Sequence, residues 1–133
     1  MKLAVSLIVT ALGLYALVHI TLVAGHFWET GWLPHAVNHL FRGTLASLGL
    51  VVVTIVILTG PFRRKEHWAW WLVLLTFLFL YGGFWGGYLV TEFSVLSDKL
   101  DMVLLFSVQT LLFVVGLYMS YKSSERWSAT QKD

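Results

Sequence analysis

Residues 68–90 read WAWWLVLLTFLFLYGGFWGGYLV, twenty-three residues without a charged side chain. A helix rises ~1.5 Å per residue, so about 20 apolar residues cross ~30 Å of hydrocarbon. Lipid offers no hydrogen bonds, and a helix satisfies its own backbone. This stretch therefore reads as a membrane-spanning helix. Three more apolar stretches of similar length flank it: Leu3 to about Val23, Val37 to Leu58, and about Leu100 to Tyr121. Thr59-Gly60-Pro61 stops the second.

The composition agrees. Of 133 residues, 58% are hydrophobic and 12% charged, with a mean hydropathy of +0.77. Soluble domains carry about 25% charged residues, so lipid is the expected solvent. Seven Trp and 16% aromatic content suit interfacial belts. Met1-Lys2 before an apolar run resembles a signal peptide, but about 21 apolar residues exceed a typical signal core. The segment is read as a retained helix. With no cysteine, thiolate metal sites, iron–sulfur clusters and thiol catalysis are excluded.

Short connections join these segments, so neighbouring helices are expected to run antiparallel. The fold expected is an all-α, integral membrane four-helix bundle of up-down-up-down order, with helices near 3–23, 37–58, 68–90 and 100–121 in one domain over 1–133. Lys2, Arg63, Arg64, Lys65, Lys122, Arg126 and Lys132 fall on one side of it, and only Arg42 and Lys99 on the other. The positive-inside rule then places both termini in the cytoplasm, and a bacterial inner membrane is the expected location. The Arg63–Lys65 run reads as a topology signal near anionic lipid, and no nucleic-acid partner is expected.

The chemistry concentrates at the other end. Four of the five histidines, His19, His26, His35 and His39, map there with Glu29, Arg42, Glu92, Asp98 and Asp101. His35, His39 and Arg42 share one helix face at i, i+4, i+7 spacing. Ala46 and Gly49 continue that row, and small residues suit a helix–helix seam, so the row is expected to turn into the bundle. Arg42 then has Glu92, Asp98 and Asp101 as expected ion-pair partners. Imidazoles and carboxylates are also ligands for transition metals. His19, His26, His35, His39 and Glu29 are therefore candidate metal ligands, and His19 with His39 a candidate pair for haem b.

The third helix adds overlapping GxxxG spacings, Gly82/Gly86 and Gly83/Gly87, which permit close helix approach. Tyr81, Trp85, Tyr88 and Glu92 lie on its other face. The glycine face is expected to be a contact, within the bundle, with another copy or with another membrane subunit. In the fourth helix, Gln109 near mid-membrane is expected to bond a neighbouring helix. Trp127 in the tail reads as an interfacial anchor.

The opening of the second helix, Leu40-Phe41-Arg42-Gly43-Thr44-Leu45-Ala46-Ser47-Leu48-Gly49, and the Gly-rich end of the third resemble small bacterial membrane proteins of the DoxX-like type. That resemblance implies a four-helix layout and, as for some such proteins, association with oxidoreductases. The functional expectation is a small accessory subunit of a larger, redox or respiratory, membrane complex. The competing reading is a metal- or haem-binding protein with its site at the outer end, and a transporter ranks third because four helices are few for a pathway.

Overall fold

The computed structural model describes the backbone of residues 1–27, 34–90 and 100–130, and the side chains of 1–25, 36–86, 89 and 101–122. These form four helices: α1 (Lys2–Phe27), α2 (Pro34–Thr59), α3 (His67–Val90) and α4 (Leu100–Thr130). All four are long and apolar enough to cross a membrane. The chain is a multi-pass membrane protein. Helices outrun their apolar cores at α1, α2 and α4, because a helix continues into the headgroup layer at no cost to its own hydrogen bonds. The tail expected as a short interfacial end is helical to Thr130.

Each helix buries only a minor part of itself. Between 22% and 28% of each spanning window is buried, while Val52, Val56, Phe79, Leu89 and Leu111 are each more than 60% exposed. In water such surfaces would drive aggregation; in lipid they are the solvent-facing side.

The helices form a ring. Helix α1 packs most extensively on α4 and then on α2, while α2 packs on α3, and α3 more lightly on α4. Between α3 and α4, Trp70 reaches Ser120, Phe77 meets Phe113, and Trp85 reaches Thr110. Between α1 and α4, Ala4 and Ile8 lie against Gly116 and Tyr15 lies against Phe106.

Aromatic rings fill the centre. Tyr81 sits against Tyr15, Phe77 and Phe113 with centroids 5.2–5.6 Å apart. Phe84 stacks on Phe106 at 3.6 Å. Hydrogen bonds between helices supplement this packing. The Thr54 hydroxyl donates to Thr76 Oγ1 at 3.1 Å, and Trp70 Nε1 to Ser120 Oγ at 3.1 Å. Trp85 Nε1 donates to Thr110 Oγ1 at 3.0 Å, and the Tyr81 hydroxyl to the Ala11 carbonyl at 3.3 Å. Interhelical bonds in membranes average about 0.6 kcal/mol, so they fix register more than they supply stability.

The α2–α3 connection is held by its own backbone. Phe62 N–H donates to the Ile57 carbonyl at 2.9 Å, and Glu66 N–H to the Pro61 carbonyl at 3.1 Å. Phe62 is buried and tethers the loop to the core. Lys65 turns the chain with φ of 65°, an uncommon value for a side-chain-bearing residue.

Candidate functional site

The outer end is described in part. The side chains of His26, Glu29, His35, Glu92 and Asp98, all singled out in the sequence, lie outside the described residues. Among the described residues, no three His, Asp or Glu side chains form a group that could hold a metal ion.

His19 is half-buried on α1. Its Nδ1 donates to the Tyr15 carbonyl one turn back at 3.0 Å, and its ring stacks on Tyr15 at 4.0 Å. The edge of Phe106 completes the setting, with centroids 6.2 Å apart. This leaves Nε2 as the nitrogen without a bond to Tyr15. His39 is exposed on α2.

The row through His39 and Arg42 faces outward, contrary to the expectation that it turns into the bundle. Arg42, Ala46 and Gly49 are all exposed. The buried face of α2 is instead Thr44, Val51, Thr54 and Leu58. Of this inward-facing row, Thr54 has a hydrogen-bond partner on another helix. Thr54 bonds Thr76 across to α3 and the Leu50 carbonyl along α2 at 2.7 Å. Because Arg42 lies on the opposite side of α2 from this buried row, the ion pair expected with Asp101 does not form. Among the described residues neither Arg42 nor Asp101 makes an ion pair.

Helix α3 is also reversed relative to expectation. Tyr81 is fully buried and Trp85 half-buried, so the aromatic side faces the bundle. The described glycines face away from it. Among the described residues, a β-carbon built at Gly82, Gly83 or Gly86 would meet nothing within 4 Å. Gly82 and Gly86 thus seat no neighbour among the described residues within 4 Å of a β-carbon. The second spacing, Gly83 with Gly87, has only its first member described: Gly87, like Tyr88 on the aromatic side, lies outside the residues whose surroundings the structure describes. Gly83 makes no close contact in the bundle either. Exposed Leu75, Leu78 and Phe79 lead into this flat strip. Large rings gain more from burial than glycines do, since each carries ~150–250 Å² of apolar surface.

The close helix contact lies elsewhere, at a glycine without a GxxxG partner. A β-carbon at Gly116 would sit 2.6 Å from Ile8 Cγ1 and 2.9 Å from the Ala4 carbonyl oxygen. Sequence reading missed this residue. The signal that could have found it is the row Gln109, Phe113, Gly116, Ser120, which places a small residue at the middle of a buried face.

Gln109 is fully buried, as its mid-membrane position suggested, yet neither amide atom has a hydrogen-bond partner among the described residues. The expected bond to a neighbouring helix is not made. Unpartnered buried amides are uncommon, and each carries a desolvation cost of about 1–3 kcal/mol.

A lateral cleft with a volume near 280 Å³ lies between α1 and α2. Its walls are apolar side chains of both helices. Compared with protein-family models, curated proteins and solved structures, the chain matches none.

Proposed function

We propose that this chain is a small accessory subunit of a larger membrane complex, held there by the glycine side of α3. The carrying observation is the open strip at Gly82, Gly83 and Gly86, where no described side chain of the bundle approaches within 4 Å. Close helix packing in lipid uses such small-residue strips, because van der Waals contact replaces the hydrophobic effect there. The bundle itself leaves this face unused and takes its own tight contact at Gly116. In this reading the chemistry of the assembly is assigned to its partners.

In this reading the helices alternate in direction, with both termini and the Arg63–Lys65 loop in the cytoplasm. The seven-to-two distribution of Lys and Arg supports that orientation. A redox or respiratory assembly is the class favoured by the layout resemblance to DoxX-like proteins, and a bacterial inner membrane is the location that goes with it. Purification in mild detergent tests the proposal. A stoichiometric second polypeptide is expected, and a stable monomer or self-only oligomer would refute it.

A further inference from the structure

We infer that the cleft between α1 and α2 seats an acyl chain of an anionic phospholipid whose phosphate is held by Arg42. The cleft is walled by Ile20, Val23 and Ala24 on α1 and by Phe41, Thr44 and Leu45 on α2, with almost no polar surface. Ile20, Ala24, Phe41 and Leu45 are all exposed, so the cleft opens sideways from the bundle. Its 280 Å³ accommodates about nine groups of ~30 Å³, the volume share of a liquid water and close to that of a methylene. A hydrocarbon chain is the occupant that such a wall accepts without leaving a polar group unpaired.

The headgroup assignment rests on Arg42. Arg42 is not itself a wall of the cleft; it precedes Leu45 by three residues on α2, so it lies beside the rim that Leu45 forms. Arg42 is exposed and makes no ion pair or hydrogen bond among the described residues. It sits eight residues after Pro34, the first residue of α2, about 12 Å along the axis. Helix side chains lean toward the N-terminus, and a long Arg side chain at this depth snorkels its guanidinium to the headgroup layer. A planar guanidinium matches a phosphate through two parallel N–H bonds. Charge and apolar wall together thus present one lipid with both of its ends met.

Native mass spectrometry of the purified protein, after exposure to mixed phosphatidylcholine and phosphatidylglycerol vesicles, reads out the lipid retained. Wild type is expected to retain phosphatidylglycerol preferentially. Arg42→Gln is expected to weaken that preference about fivefold, the effect of one basic residue at a membrane surface, and Arg42→Lys, which keeps the charge and loses the paired N–H bonds, to weaken it less. Ala24→Phe, which fills the cleft and keeps the charge, is expected to lower retention of both lipids. Melting curves for each variant confirm that the bundle is folded, and Ala24→Phe tests the cleft even if Arg42→Gln fails to fold. Equal retention by wild type, Arg42→Gln and Ala24→Phe would overturn the assignment. So would displacement of the lipid by soluble glycerophosphoglycerol, which would leave an anion site alone. A change of oligomeric state in Ala24→Phe without lipid loss would make the cleft a subunit contact and equally overturn it.

Discussion

Gly116 of α4 and Ile8 of α1 approach so closely that a β-carbon on the glycine would lie 2.6 Å from Ile8 Cγ1. The Ala4 carbonyl, 2.9 Å from the same point, is backbone and cannot rotate away. Among the described glycines, Gly116 has the closest neighbours on another helix. Gly116→Ala is expected to destabilise the protein by about 1–3 kcal/mol, the usual cost of overpacking, seen as a lower melting temperature in detergent. Gly13→Ala, where the same β-carbon meets nothing within 4 Å, is expected to be harmless. Equal melting temperatures for both variants and wild type would show that α1 and α4 are not so close.

A second expectation concerns Gln109. Both amide atoms are buried without partners among the described residues, so an unbranched apolar side chain of similar length should relieve a cost of about 1–3 kcal/mol. Gln109→Met is expected to raise the melting temperature. A fall of comparable size would mean that the amide is hydrogen-bonded in the membrane.

The loop before α3 carries a pH-sensitive group with clear partners. Arg64 Nε lies 2.7 Å from Glu66 Oε1, and Trp68 Nε1 donates to Oε2 at 2.6 Å. The Arg64 hydrogen bond, aided by Trp68, holds the Glu66 carboxyl below its ordinary value of 4.5. A depressed folded value means that the stabilisation is present above the unfolded value and lost as pH falls through the folded one. The group is exposed, so the effect is small. Glu66→Gln is expected to lower the melting temperature slightly at neutral pH and to leave it unchanged in acid, so that the acid slope flattens. An unchanged acid slope would refute the role of this pair.

Orientation gives another expectation. The chain has no cysteine, so a single Arg63→Cys reports the side of its loop cleanly. A membrane-impermeant maleimide applied to intact cells is expected to leave it unlabelled, with labelling appearing once the cytoplasmic face is opened. Labelling from outside would invert the topology.

The spans were legible in the sequence because lipid imposes a length and a composition that no other environment demands. Helix rotation was not. The row His39, Arg42, Ala46, Gly49 looked like a seam by residue size, yet Thr44 and Thr54 turn inward because Thr54 finds a hydrogen-bond partner in Thr76. In α3, the glycines matched a known packing spacing, yet Tyr81 and Trp85 took the interior because rings fill it and their polar tips reach Ala11 and Thr110. Apolar periodicity carries little information when both faces of a helix are apolar. What decides rotation is then where hydroxyls and indoles find partners on other helices, and that is a property of pairs of segments.

The proposal that α3 docks on a membrane partner is tested most directly by Gly83→Leu. A β-carbon at this position meets nothing within 4 Å in the bundle, so the melting temperature of the isolated chain should not fall. In mild-detergent purification, wild type is predicted to retain a stoichiometric second polypeptide and Gly83→Leu to lose it. Retention of that polypeptide by the variant, or a wild-type protein that purifies alone, would contradict the account.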